Sequence, residues 1–276
     1  MTATHSTTPA STRAATCTVD IKAPADHVWR ALTEAREVAR WFAPRVTGSG
    51  EQGGTLVLDW GNGVEWHMPV LRADPHRLLV VGDAGPIGHE RQQTGADTGA
   101  VRIEYALQAV AGGVTRLTVT HSGFGTGPGW DEMYDGVNSG WFYELRSLRH
   151  YVERFFGRDR RIVSIATPIS ATREAVWERV MGALGVAPGD VRIGATIGAL
   201  VRSETPEAME IFQARPAREL AAIVPSMGDA MVRFAVEKCT GQDRMLWVWL
   251  SSHAGSASEA EAFERVWRSR TASISG

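Results

Sequence analysis

Cysteine is almost missing from this chain of 276 residues, where Cys17 and Cys239 are the only two. They make no CxxC motif and no disulfide framework, as in a reducing interior, so the expected compartment is cytoplasmic. An excess of one charge is missing too. With 29 basic and 31 acidic residues the net charge is −2, so no basic stripe offers to neutralise phosphates, and nucleic acid is not an expected partner. No apolar run approaches the ~20 residues that a membrane span needs. Residues 1–15, MTATHSTTPASTRAA, lack the apolar stretch of a signal peptide and are expected to form a disordered tail.

Catalytic signatures are just as scarce. There is no GxSxG elbow, neither cysteine has a neighbouring histidine, and the eight histidines show no HExxH or HxH spacing. Neither metal nor cofactor is expected. The stretch HSGFGTGPGW, residues 121–130, suggests a phosphate-cradling loop at first sight. Yet GxGxxG starting at Gly123 would need glycine at Pro128, and starting at Gly125 it would need glycine at Trp130. No GK[ST] follows. Asp131, Glu132 and Asp135 suit a helix N-terminus but would repel a phosphate there. The loop is expected to connect a strand to a long helix and to flank whatever lies between them.

What the chain does have is pattern. TCTVDIK, 16–22, reads as a strand, and APADHVWRALTEAREVARWF as helical up to a break at Pro44. Alternation places Leu56, Leu58 and Trp60 on one strand face, and Val64, Trp66, Met68 and Val70 on another. RLLVV is a less regular run. Val101, Ile103, Tyr105 and Leu107 alternate, and so do Leu117, Val119 and His121, with a Gly112-Gly113 hairpin turn between the two runs. Tyr134, Val137, Trp141, Leu145, Leu148, Val152 and Phe155 form one stripe of a helix over roughly 130–156. Gly136 and Gly140 interrupt it at ~1 kcal/mol each relative to alanine, which points to close packing or a widened gap beneath. GRDRR, 157–161, reads as a linker.

The remainder repeats the plan more weakly. Val28-Trp29 and Val176-Trp177 sit in matching helices, each after a strand and a proline. Strands are expected in AMEIFQAR, RELAAIV, DAMVRFAVEKC and RMLWVWLSS, with Met245, Trp247 and Trp249 as core, and a short last helix in SEAEAFERVWRSR.

Several strings together resemble a known family. PADHVWRALTEAREVARWFAP, GG before LVLDW, ADPHRLLVV and THSGFG…W…YDGVNSGWFYELRSLRHYVE are similar to the heat-shock-protein ATPase activator homologue branch of the START-like superfamily, also called SRPBCC or Bet v 1-like. Gly140-Trp141 followed by Leu145, Leu148 and Tyr151 carries the helix part of the resemblance. It covers about residues 16–156 and implies an α+β helix-grip fold, a curved antiparallel sheet around a long C-terminal helix with an apolar cavity between. Two tandem copies are expected, 16–157 and a divergent 158–276. The chain departs from the family after RLLVV, where GDAGPIGHERQQTGADTG is glycine-rich and polar, not aromatic. Its second half lacks the HSGF and GW motifs, so a second cavity is expected to be closed or vestigial.

The function expected first is binding of a small hydrophobic ligand. Candidate contacts are Trp60, Trp66, Met68, Tyr105, His121, Phe124, Tyr134, Asn138 and Trp141. Alternation turns His121 inward at the mouth, where a buried imidazole needs a partner such as Tyr134, Asn138 or a loop backbone group. Glu65, His67 and Glu104 fall on the outer faces. A second expectation is an enzyme of the polyketide cyclase, aromatase or hydrolase kind, with His121 as acid/base and Tyr105 or Tyr134 polarising a carbonyl. A third, carried by the family's name, is a co-chaperone-like regulator of a heat-shock ATPase. A chaperone or a second copy of the chain would then be the partner.

Overall fold

The computed structural model describes residues 12–61, 65–82, 101–238 and 244–274. Most of the expected tail, Val64, the polar segment after Gly82 and Cys239 lie outside them. Two units divide the chain, one ending at Gly157 and the other starting at Arg158.

The first unit runs β1 (Thr12–Ile21), α1 (Ala25–Thr33), α2 (Ala35–Val38), β2 (Arg45–Gly48), β3 (Thr55–Asp59), β4 (Glu65–Asp74), β5 (Leu78–Gly82), β6 (Arg102–Val110), β7 (Val114–Gly125) and α3 (Pro128–Arg154). The seven strands form one sheet in the order β1-β7-β6-β5-β4-β3-β2, with every neighbouring pair antiparallel. A meander from β2 to β7 explains this order, with β1 added beside β7. Alternation put the right residues inward: Leu56, Leu58, Met68, Val70, Ile103, Tyr105, Leu107, Leu117 and Val119 all join one core with Trp141, Leu145, Leu148 and Val152 of α3. The Gly112-Gly113 turn is there, both glycines having φ near +75° (79° and 73°).

Three expectations need correction. β1 begins at Thr12, so residues 12–15 are strand and not tail; Thr12, Arg13, Ala14 and Ala15 form part of an outer strand because β7 supplies a ladder for them. The helical stretch after Ala23 is two helices, broken where Glu34 turns extended (φ −82°, ψ 118°). The glycine loop is strand as far as Gly125, with Thr12 opposite Gly125 and Arg13 opposite Phe124. Of the two readings of Gly136 and Gly140, open space and not close packing is found, since a Cβ at either would meet nothing within 4 Å.

The second unit repeats the plan with one strand fewer: β8 (Arg161–Pro168), α4 (Arg173–Leu184), β9 (Thr196–Ala199), β10 (Glu207–Arg215), β11 (Glu219–Val224), β12 (Ala230–Lys238), β13 (Arg244–Ser252) and α5 (Ala257–Ile274). Its sheet order is β8-β13-β12-β11-β10-β9. Each chain segment thus makes a helix-grip fold, α+β in class. Local chemistry sets the helix ends. Thr172 Oγ1 accepts from the Ala175 amide at the start of α4, and Gly185 (φ 67°) ends it in the left-handed region. Ser256 and Glu259 make a reciprocal capping box on α5, the Ser256 amide reaching Glu259 Oε2 at 2.7 Å and the Glu259 amide reaching Ser256 Oγ at 3.2 Å.

α5 is longer than the expected last helix. β13 also differs from expectation: Leu246, Val248 and Leu250 fill the core, whereas Met245, Trp247 and Trp249 lie half-buried on the other face. MLWVWL is apolar on both faces, so alternation alone does not choose between them.

One indole per unit is anchored alike. Trp41 Nε1 donates to the Ala31 carbonyl and Trp267 Nε1 to the Val201 carbonyl, both at 2.7 Å. Trp267 is fully buried, 4.5 Å from the Phe234 ring. Replacing it with alanine should remove about 3–5 kcal/mol, read as a lower urea midpoint for the full chain. An unchanged midpoint would mean that this indole does not hold the second unit together.

Candidate functional site

In the first unit α3 packs across the sheet. Beside it, between the α1–α2 segment and the sheet, lies a void of about 20 Å³, bounded by Leu32 of α1, Trp41 and Phe42 after α2, and Met68, Val81 and Tyr105 of the sheet. That is room for about one water molecule. No charged side chain lines it.

Aromatic rings connect this void to the glycine-bearing end of β7. Phe42 receives Trp60 edge-on at 5.3 Å between centroids and lies parallel to Trp141 at 6.1 Å. Trp141 then meets Tyr105 edge-on at 5.8 Å and His121 at 6.1 Å. Phe124 lies 4.8 Å from His121 and 5.7 Å from Tyr134. Of the candidate contacts, Met68 and Tyr105 border the void, and Trp60, Trp141, His121, Phe124 and Tyr134 extend the chain of rings. Trp66 packs half-buried against the core, opposite Leu58. Asn138 is half-buried one turn before Trp141.

His121 is 5% exposed, as its inward alternation implied. Its partner is not the one expected. Trp141 Nε1 donates to His121 Nδ1 at 3.3 Å, while the Tyr134 hydroxyl donates to the Ala14 carbonyl at 3.2 Å. The ring is thus oriented by α3. Glu65 is exposed, and His67 and Glu104 are half-buried on the outer faces; His67 Nε2 lies 3.6 Å from Glu65 Oε2.

The end of β7 needs its glycines for packing. Gly123 has φ +98°, and a Cβ on Gly125 would sit 2.5 Å from Trp130 Nε1. The indole rests directly on the backbone, so this is where a helix is docked and not where a phosphate is cradled.

Sequence reasoning missed the polar anchor behind the void. Glu37, Arg40 and Tyr151 are buried together (4%, 6% and 0% exposed). Arg40 donates to Glu37 Oε1 and the Tyr151 hydroxyl donates to Glu37 Oε2. The Gly157 amide donates to the same hydroxyl at 2.9 Å. Burial, with the Glu37 carboxylate next to it, pushes the Tyr151 phenol up from 10.0 to about 12. The only sequence signal was Glu37 and Arg40 one helical turn apart in an apolar neighbourhood. Among the described residues no group of three or more His, Cys, Asp or Glu could hold a metal ion, and no helix is long and apolar enough to cross a membrane.

Residues 22–153 match the family described as Activator of Hsp90 ATPase homolog 1-like protein. Among solved structures, the chain is similar to DynU16 of the dynemicin biosynthetic locus, at 20% identity over 95% of each chain with a TM-score of 0.43. It is also similar to the di-domain ARO/CYC BexL of the BE-7585A biosynthetic pathway, at 14% identity over 95% of this chain and 97% of that one, TM-score 0.43. The Aha1 dimer of Colwellia psychrerythraea is similar at 21% identity over 52% of this chain and 99% of its own, TM-score 0.44. No curated protein matches.

Because the Tyr151 phenol is held above its ordinary value, its neutral form stabilises the fold fully below about pH 10, and that contribution is lost as pH rises toward 12. It amounts to about 2–3 kcal/mol. Tyr151→Phe should lose about 1–3 kcal/mol at neutral pH and flatten the decline between pH 10 and 12. Urea midpoints measured across that range check both. Equal alkaline slopes in the two proteins would refute the assignment.

Proposed function

From a first unit that belongs, over residues 22–153, to the Activator of Hsp90 ATPase homolog 1-like branch of the START-like superfamily, we propose that this protein binds a small hydrophobic molecule between its sheet and α3. The observation that carries the reading is the uncharged void of Phe42, Met68 and Tyr105, continued by rings as far as His121. A pocket for such a ligand occupies ~300 Å³ or more, so binding must part these rings. Magnitudes favour it. A small aromatic molecule that buries about 300 Å² of apolar surface gains roughly 7 kcal/mol, whereas separating two or three ring pairs costs about 0.5–1.5 kcal/mol each. His121, at the end of the ring chain, adds a polar group beside the molecule.

Burial of His121 against Trp141 and beside Phe124 also supports a second reading, acid–base chemistry at this histidine. A His121→Ala protein separates the two. A binding module should keep its ligand with altered affinity, whereas an enzyme should lose turnover by about a hundredfold or more.

Native mass spectrometry of the full chain tests the binding reading directly, with an extractable extra mass of a few hundred daltons expected (roughly, for a ligand filling such a pocket). The neutral apolar dye N-phenyl-1-naphthylamine should brighten on binding. Met68→Trp, which fills the void, should weaken that binding by about tenfold or more while the overpacked fold loses about 1–3 kcal/mol. Dye binding undiminished by Met68→Trp would place the ligand elsewhere.

A further inference from the structure

Resting on that binding reading, we propose that the N-terminal half of α3 is a hinged gate to the site, latched shut by Arg13. The void has room for about one water molecule, so a larger ligand needs a segment that moves, and α3 is fastened very unevenly along its length. Its C-terminal half is locked. Leu145, Leu148, Tyr151 and Val152 are buried in the core. Ser147 Oγ donates to the Trp41 carbonyl at 2.8 Å, Tyr151 holds Glu37, and Glu153 accepts from the Lys22 amide at 2.8 Å. In the N-terminal half Asp131, Asp135 and Gly136 are exposed, and Met133, Tyr134, Val137 and Asn138 are only half-buried.

The boundary between the halves has the chemistry of a bend. Gly136 and Gly140 lie there with nothing within 4 Å of a Cβ, so packing does not demand glycine at either. Ser139 Oγ donates back to the Gly136 carbonyl at 3.1 Å. Serine bonded to a carbonyl one turn back, next to glycine, is a recognised way to bend a helix.

Besides Trp130 and Tyr134 resting on the end of β7, one side chain ties the loose half to both neighbouring strands. Arg13 Nε donates to the Gly125 carbonyl at 3.0 Å, and its NH1 donates to Asp131 Oδ1 at 2.7 Å. Its guanidinium lies 4.6 Å from the centre of the Tyr134 ring, whose hydroxyl reaches the Ala14 carbonyl. Arg13 thus joins β1, the end of β7 and the first turns of α3. The segment it holds covers Phe124, which lies against His121 at the end of the ring chain. Swinging that segment out about Gly136–Gly140 exposes His121 and Trp141 while the anchored half keeps the fold.

Two measurements on the full-length chain test this, comparing wild type, Arg13→Gln and the double variant Gly136→Ala/Gly140→Ala. The first is amide hydrogen exchange, which needs no ligand. Amides of 130–138 should exchange faster than those of 145–153. In Arg13→Gln exchange in 130–138 should rise about tenfold, the effect of losing one charge-assisted hydrogen bond. In the alanine variant it should fall, with 145–153 unchanged in both. The second is stopped-flow association of N-phenyl-1-naphthylamine, whose rate should follow the same order. Uniform exchange along α3, or exchange unmoved by both substitutions, overturns the latch even where the dye binds. Should exchange respond as expected while the dye binds none of the three proteins, hinge and latch stand and the binding reading falls.

Discussion

A long helix laid across a curved sheet cannot be held by apolar contact alone, because such contact favours burial without fixing an angle or a register. In the first unit the fixing is done by Glu37. Its carboxylate is buried, and it is tolerated there because Arg40 neutralises it from the next turn and Tyr151 of α3 donates to it. Breaking up such a group leaves an uncompensated charge, at about 3–5 kcal/mol, so the fold has little freedom to shift α3 at this end. Trp41, pinned by its indole to Ala31 and capped by Ser147, extends the same anchor into the wall of the void. With one end of the helix so determined, the rest of α3 can afford weaker contacts.

The second unit has the same strand order around a differently used interior. Phe234, Phe263 and Trp267 are all fully buried there, with Trp267 tilted against Phe234 at 4.5 Å between centroids. Its buried carboxylate, Glu219, serves the sheet itself, receiving Arg233 at 2.5 Å and Gln213 at 2.7 Å. One architecture therefore appears twice, with its buried polar anchor joining helix to helix in the first unit and strand to strand in the second.

Much of this was legible in the sequence, and for identifiable reasons. Strands with one clean apolar face, such as Val101–Leu107 and Leu117–His121, announce their inward residues, and the stripe of about six turns from Tyr134 to Phe155 announces α3. What alternation does not carry is a choice between two apolar faces, which is why Trp247 and Trp249 were assigned to the core that Leu246, Val248 and Leu250 occupy. Four-residue strands such as β2 and β9 are too short to show a period at all. Polar partners were harder still. Trp141 donating to His121 joins residues from a strand and a helix, and Glu37 meets Tyr151 across more than a hundred residues of chain. Composition marks such groups as candidates, but only tertiary packing pairs them.

The outer position of β1 has a consequence for solubility. A ten-residue strand at the rim of a sheet, with few charges along it, is a template on which another chain can add a strand and start a fibre. Side chains of α3 occupy that rim at two points, Tyr134 on the Ala14 carbonyl and Glu153 on the Lys22 amide. The helix that closes the interior is thus also what guards the rim. Any sequence drift that loosens its first turns frees the Ala14 carbonyl at that rim to pair with another chain.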